Sequence, residues 1–190
     1  MGQAQPLQLM TAAEYLQWEP PQQEKHEFIG GELYAMGGAS RRHVTVTGNL
    51  FAELDRALEG TPCRVYMADM WLQVVADEVY FYPDVMVTCD SADHRAEQYM
   101  CSPIFLAEVL SPSNEIFDRK EKASYYRRLP SLQEFLFIDP DRRSMELYRR
   151  NQAGLWELRD FIADQPLPHS LPLASLELEI ARERIFRNVD

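Results

Sequence analysis

Hydrophobic and polar positions in the first sixty residues predict a helix, a hairpin and a second helix. Thr11 and Glu14 have the spacing of a capping box, which favours a short helix that ends at Pro20-Pro21. Gly30-Gly31 separates two runs of mixed apolar and polar residues and predicts a two-residue β-hairpin turn. Ser40 can cap a longer helix. The apolar stripe of that helix, spaced by three and four residues, consists of Val44, Thr47, Phe51, Leu54 and Leu58.

The pattern between residues 64 and 110 is that of strands. The predicted strands are Arg64–Met67, Trp71–Val75, Val79–Thr88 and Ile104–Leu110. A turn is predicted at Asp77-Glu78, and the polar residues 89–103 are expected to form an exposed loop. Because Ile104–Leu110 is apolar on both faces apart from Glu108, it is predicted to be a central strand.

The remainder of the chain predicts a helix, a strand, a hairpin and a tail. The predicted elements are a helix from Asp118 to about Leu129, a buried strand Glu134–Asp139, a hairpin of Met145–Arg150 with Leu155–Leu158, and a short final helix after the Pro-rich segment 166–172. No repeat and no linker is visible. The prediction is one α/β domain over residues 1–190 with a mixed sheet, a core at about 10–160 and a C-terminal extension at about 161–190.

The composition is ordinary for a globular protein, and only the charge is unusual. Of the 190 residues, 46% are hydrophobic and 26% are charged. The 30 acidic and 19 basic side chains give a net charge of −11, which argues against gripping nucleic acid by bulk electrostatics. The charge is uneven, however: residues 1–118 have a net charge of −12 and residues 119–190 a net charge of +1. Acidity therefore does not exclude a nuclease.

The cysteines and the N-terminus bear on the compartment. The three cysteines lack C-x-x-C spacing, so neither a disulfide framework nor a cysteine zinc site is expected. Residues 1–6 contain no basic or apolar signal segment, and no stretch approaches the length of a membrane span. We therefore expect a reduced, cytoplasmic protein with no membrane partner.

A carboxylate in the predicted central strand is the first sign of chemistry. A lone buried carboxylate is unfavourable unless it is paired, protonated or bound to a metal. Asp84 lies on the preceding strand, so it could meet Glu108, and a cation between the two would relieve their repulsion. Carboxylate oxygens favour Mg²⁺ or Mn²⁺, whose bound water can attack a phosphodiester. The alternative for Glu108 is a structural acid satisfied by hydrogen bonds.

A lysine on the apolar face of the following helix is the second sign. Lys122 lies three and four residues before Tyr125 and Tyr126 and therefore shares their face. Its ammonium group either extends to the helix end or points into the acid pair, where it would orient water or stabilise charge on a phosphate. Asp118 is predicted to be the N-cap of this helix, with Glu121 completing a capping box.

Together these residues resemble the PD-(D/E)XK nuclease arrangement: Pro83-Asp84, then Glu108 within an apolar strand, then a lysine. The chain also resembles, over roughly residues 10–160, a large bacterial family of restriction endonuclease-like proteins of unassigned function. The segments that carry this resemblance are Glu27–Gly31 with Glu32-Leu33, His43, Tyr82–Val85, Glu108–Ser113, Asp118, Lys122, Tyr126, Glu134-Phe135 and Ile138–Pro140.

The resemblance implies a restriction endonuclease-like core, with a central mixed sheet flanked by helices and a metal-dependent phosphodiesterase centre. Asp84 and Glu108 would be the metal ligands. Leu110 occupies the position two residues after the acid, where the pattern has lysine, and Lys122 on the next helix would replace that lysine. Glu27 and His43 also fit the family pattern as catalytic candidates. Their alternatives are a solvated strand acid and a helix-start residue.

The leading functional hypothesis is a Mg²⁺- or Mn²⁺-dependent endonuclease that cuts duplex DNA, and the superfamily implies a homodimer. The rival is a non-catalytic nucleic-acid-binding or assembly protein that retains the fold, favoured by Leu110 and by the overall acidity. Hydrolysis of a smaller phosphodiester at the same site is a third possibility.

Overall fold

Groups of strands lie between the helices along the chain in the computed structural model, which describes residues 9–161 and 169–190. The helices are α1 (Ala12–Trp18), α2 (Arg41–Ala57), α3 over residues 115–126 and α4 (Arg182–Ile185). The strands are β1 (His26–Ile29), β2 (Glu32–Ala35), β3 (Arg64–Met67), β4 (Trp71–Val75), β5 (Val79–Phe81), β6 (Val85–Thr88), β7 (Tyr99–Met100), β8 (Pro103–Val109), β9 (Glu134–Asp139), β10 (Ser144–Arg150), β11 (Trp156–Phe161), β12 (Ser170–Leu173) and β13 (Leu178–Ala181).

The strands form two larger sheets and a small hairpin. One sheet has the order β2-β1-β5-β4-β7 and the other has the order β11-β10-β9-β8-β6-β3, while β12 pairs with β13. In the six-stranded sheet β8 runs parallel to β9 and antiparallel to β6, so the sheet is mixed. The predicted fold class, a mixed sheet flanked by helices, is confirmed, and β8 is the central strand that its two-sided apolar pattern predicted.

Apolar side chains cover both faces of the six-stranded sheet. On one face α2 and the C-terminal residues pack against β6 and β8, through side chains such as Leu50, Leu54 and Phe105. On the other face α3 and the five-stranded sheet meet the same strands, through Phe81 and Tyr126 among others. The strand β8 is therefore enclosed from both sides, and a charged group within it needs a partner.

The predicted strand Val79–Thr88 is wrong as a single element. The chain divides into β5 and β6, which belong to different sheets, and residues 82–84 cross between them. Pro83 has no N–H to donate to a strand ladder, which is consistent with a break at this point. As a consequence Asp84 lies at a junction between the two sheets, at the start of β6.

The helix α3 begins earlier than predicted. It runs from Glu115–Phe117 through a π-helical turn, Asp118–Lys122, to Ala123–Tyr126. The N–H of Asp118 already donates to the carbonyl of Asn114 at 2.9 Å, so Asp118 is inside the helix, and the prediction that it is the N-cap is wrong. Its buried side chain is directed instead toward Lys122. Wide turns of this kind often occur at functional sites.

The apolar stripe predicted for α2 is partly confirmed. Thr47, Leu54 and Leu58 are buried as predicted, whereas Val44 is 59% exposed. Val46 and Leu50, which the prediction omitted, are buried as well. The N-terminal capping of α1 by Thr11 and of α2 by Ser40 is confirmed, since each side chain accepts a backbone N–H of the first turn. In the first turn of α2, the side that carries His43 and Val44 faces a cavity rather than the core.

The expectation of a reduced chain is also wrong. Cys63 and Cys89 form a disulfide across the antiparallel pair β3 and β6, one residue beyond the Arg64–Thr88 pair. Cys101 is an exposed thiol. The pairing depends on the register of two strands, which the count and spacing of cysteines do not contain.

We expect reduction of this disulfide, which joins residues 26 apart, to lower the free energy of unfolding by about 3.5 kcal/mol, the chain-entropy value for a loop of this size. Urea unfolding of the wild type with and without dithiothreitol, alongside Cys89→Ser, measures the effect. Cys101→Ser is the matched control and should leave stability unchanged. A thiol count of three in the native wild type, or equal stability with and without reductant, would contradict the expectation.

Candidate active site

A buried lysine lies at the centre of the candidate site. The Nζ atom of Lys122 is 2.6 Å from Oε1 of Glu27, 3.1 Å from Oε1 of Glu108 and 3.6 Å from Oδ1 of Asp118. The four side chains come from β1, β8 and α3, and all are buried. Three carboxyl groups therefore share one ammonium group, so the cluster has an excess of acid.

Burial governs the protonation of these acids. Desolvation raises the pKa of Glu27 to about 7 and raises the pKa of Glu108 well above its usual range, although the charge of Lys122 opposes both shifts. The pKa of Asp118 is raised for the same reason. Burial alone would lower the pKa of Lys122, but the charges of Glu108 and Glu27 raise it well above its usual value. Lysine therefore remains charged, and a further cation would favour ionisation of the acids.

Asp84 lies beside this cluster. Its Oδ2 atom accepts the N–H of Val109 at 2.7 Å, which fixes the carboxylate against the strand that carries Glu108. Asp84 and Glu108 stand one residue beyond the Val85–Ala107 pair on their two strands. The Asp84 side chain is 17% exposed, so it can reach both solvent and the buried cluster.

His43 contacts Asp84 from the first turn of α2. Its Nε2 atom is 3.2 Å from Oδ2 of Asp84. Burial would lower the pKa of His43, but its hydrogen bond to Asp84 and the charge of Asp84 outweigh burial and raise the pKa. His43 therefore holds Asp84 in place and partly offsets its charge.

One open cavity connects these groups. It has a volume of about 480 Å³ and is lined by His43, Asp84, Glu108, Asp118 and Lys122. Other lining residues come from α2, from the ends of β3 and β8 and from the surrounding loops: Gln23, Glu24, Lys25, Met36, Gly37, Gly38, Ala39, Val44, Thr47, Met67, Ala68, Tyr82, Val109, Ser111 and Asn114. Glu27 does not line the cavity and contacts Lys122 from within the core. Four of the five predicted site residues therefore line one cavity, and the fifth, Glu27, contacts Lys122.

Sequence reasoning missed two members of the cluster. The hydroxyl of Tyr126 donates to Oε1 of Glu108, and Asp118 joins Lys122 in the cavity wall. A signal was available, because Asp118, Lys122 and Tyr126 are spaced by four residues and therefore share one face of a helix. Asp118 was assigned to the helix terminus instead because aspartate is a favoured N-cap.

The donor set fits Mg²⁺ or Mn²⁺ by its chemistry. In residues 9–161 and 169–190 no group of three or more His, Cys, Asp or Glu side chains has the arrangement of a complete metal site. Magnesium does not require one, because it commonly uses one or two carboxylates and takes water and substrate phosphate as its other ligands. Asp84 and Glu108 provide two such carboxylates at the cavity.

The mixed sheet and the acidic cavity with its buried lysine define a restriction endonuclease-like protein. The family model of Uma2, described as "Putative restriction endonuclease", matches residues 12–182, and the chain belongs to this family.

Two relatives come from Synechocystis sp. (strain ATCC 27184 / PCC 6803 / Kazusa). The "Uncharacterized protein slr1290" is 36% identical over 184 residues, which cover 97% of this chain and 95% of the relative. The "Uncharacterized protein sll1609" is 37% identical over 158 residues, which cover 82% of this chain and 89% of the relative.

A solved structure shows the same fold. The crystal structure of a "putative nuclease belonging to DUF820" from Anabaena variabilis ATCC 29413 aligns with a TM-score of 0.77 and 20% sequence identity, and the match covers 95% of this chain and 99% of that one. At this identity the likeness concerns the fold.

Among the helices of the described residues, none has the length and apolar character needed to cross a membrane.

Proposed function

We propose that this chain is a Mg²⁺- or Mn²⁺-dependent endonuclease that hydrolyses phosphodiester bonds of duplex DNA. The observation that carries the proposal is the convergence of Asp84, Glu108 and Lys122 on one cavity from a sheet junction, a central strand and a helix. Family membership supports nuclease chemistry in general, and the metal and DNA are the further steps of this proposal.

Asp84 and Glu108 would hold the metal ion. When bound, a divalent cation lowers the pKa of a coordinated water and offsets the negative charge of the phosphate. Both carboxylates are already fixed, Asp84 by the N–H of Val109 and Glu108 by the hydroxyl of Tyr126. The donor oxygens therefore need little reorganisation when the ion binds.

Lys122 would act on the reacting phosphate. Lys122 lines the cavity and its ammonium group donates to Glu108, so it stands beside the proposed ligands without belonging to them. There it can donate to a phosphate oxygen, stabilise the charge that develops on it, or orient the attacking water. In this proposal Lys122 takes the role of the usual lysine, whose position is occupied by Leu110, a residue buried among apolar side chains.

Glu27 and His43 are positioning residues in this proposal. Glu27 binds the ammonium group of Lys122 from the core side, so it fixes where the lysine can reach. His43 binds Asp84 from the α2 side and keeps its carboxylate in one orientation. Neither group needs to touch the substrate, which explains why Glu27 can lie outside the cavity wall.

The test is nicking of supercoiled plasmid by the purified protein with Mg²⁺, with Mn²⁺ and with EDTA. We expect conversion to nicked and linear DNA with either metal and none with EDTA. The net charge of −11 disfavours long-range attraction to DNA, so we expect cleavage to need a high protein concentration. Metal-dependent cleavage of a small phosphodiester without cleavage of DNA would instead support a smaller substrate, and no cleavage of either would support the non-catalytic rival.

A further inference from the structure

The strand β11 is an edge of the six-stranded sheet. Its register with β10 is unbroken from Trp156 to Phe161, so no bulge interrupts it, and the strand contains no proline or lysine. Natural proteins protect free edges with such devices or with charged side chains, and the charged side chains of β11 are Glu157, Arg159 and Asp160. The opposite edge, β3, has four residues and lies against α2.

The backbone groups on the outer side of β11 can be assigned. The N–H of Asn151 donates to the carbonyl of Leu155, so the backbone of Leu155 is directed toward β10. Because hydrogen-bonding direction alternates along an antiparallel strand, Trp156, Leu158 and Asp160 direct their N–H and C=O groups away from β10. In the part of the chain that the structure describes, no other strand pairs with this side.

The sequence of β11 complements itself in one antiparallel register. When Leu158 lies opposite Leu158 of a second copy, Glu157 faces Arg159 on both sides of the two-fold axis, and Trp156 faces Asp160. A two-fold axis at either neighbouring residue would place Arg159 opposite Arg159 or Glu157 opposite Glu157 instead. Opposite charges in facing positions stabilise a strand pair and like charges destabilise it.

The favoured register also uses the outward backbone groups. Leu158 at the axis and the Trp156–Asp160 pairs would be the hydrogen-bonded pairs, formed by the three residues whose backbone faces outward. Glu157 and Arg159 would be the non-hydrogen-bonded pairs, in which side chains approach most closely. The Leu158 side chain is 46% exposed in one chain and would be covered by its symmetry mate.

We propose that two copies of this chain associate through antiparallel pairing of their β11 strands, with Leu158 on the two-fold axis. The two six-stranded sheets then form one continuous sheet. The interface is separate from the cavity, none of whose lining residues belongs to β11. The proposal is therefore independent of the proposed nuclease activity.

Sedimentation equilibrium of the full chain tests the proposal through charge variants. The wild type should sediment with twice the mass of one chain. Glu157→Arg and Arg159→Glu each place two like-charged pairs across the axis and should each raise the dimer Kd by about tenfold or more. The double variant Glu157→Arg with Arg159→Glu restores both pairs with reversed polarity and should return the Kd to near the wild-type value.

Mixing the two single variants gives a second readout. In the mixed pair both contacts between positions 157 and 159 join opposite charges, so a heterodimer should form more tightly than either homodimer. Glu183→Arg, at an exposed position on α4, makes the same charge change away from β11 and should leave the Kd unchanged. A monomeric wild type, a dimer insensitive to the single reversals, or a double variant as weak as the single ones would overturn the proposal.

Discussion

Asp84→Asn should lower metal-dependent cleavage of plasmid DNA by about a thousandfold while leaving the fold intact. A carboxylate that binds a divalent cation contributes several kcal/mol to transition-state stabilisation, and about 1.4 kcal/mol corresponds to each factor of ten in rate. Asparagine keeps an oxygen that can accept the N–H of Val109, so the contact that fixes this residue can persist. The variant therefore removes charge more than it removes structure.

The rates are compared at saturating Mn²⁺, with circular dichroism and thermal unfolding as checks on the fold. Asp55→Asn provides the matched control, because Asp55 is an exposed acid on α2 outside the cavity wall and should cut DNA at the wild-type rate. Nicking by Asp84→Asn at the same rate as the wild type would show that the activity comes from a contaminant or from another site.

Lys122→Met should lower the free energy of unfolding by about 3–5 kcal/mol, the usual cost of removing one partner from a buried ion pair. The ammonium group of Lys122 is the cation nearest to both Glu27 and Glu108. Its removal leaves these two buried carboxyl groups without their counterion. Lys120→Met is the matched control, since Lys120 is exposed two residues away on α3 and should change stability little.

The loss of unfolding free energy in Lys122→Met should also depend on pH. Burial already raises the pKa of Glu27 to about 7 in the wild type, from a usual value of 4.5, and loss of the opposing charge of Lys122 should raise it further. Between pH 5 and pH 8 the folded variant then binds more protons than the unfolded chain, so its stability falls as pH rises.

Urea unfolding in EDTA at pH 5, 6, 7 and 8 measures this slope for the variant, the wild type and Lys120→Met. A variant as stable as the wild type at every pH would mean that Lys122 is not the counterion of the buried acids. A loss that grows toward low pH would contradict the assignment of the raised pKa to Glu27.

The sequence predicted the strand and the lysine of the site because each broke a strong local pattern. Glu108 interrupts a strand that is apolar on both faces, and Lys122 interrupts an apolar helix face. Both anomalies are visible in the sequence alone, and the structure brings the two side chains together. The central position of β8 followed from the same pattern.

Features that depend on how separate segments meet could not be predicted in this way. The division between β5 and β6 was hidden because Val79–Thr88 is almost continuously apolar, and apolar runs do not reveal a change of sheet. The Cys63–Cys89 disulfide depends on the β3–β6 register. Asp118 satisfied a local rule for helix caps, while its actual role depends on the packing of α3 against β8. Metal binding and DNA cleavage stay predictions.

The most direct measurement is the number of Mn²⁺ ions that the wild type and Asp84→Asn bind, counted by electron paramagnetic resonance of free Mn²⁺ with the same duplex DNA present. Because ions bound to the DNA are common to both samples, the difference reports the cavity alone. The account predicts one more Mn²⁺ per chain in the wild type than in Asp84→Asn. Equal binding by the two proteins would contradict a metal site at Asp84 and Glu108.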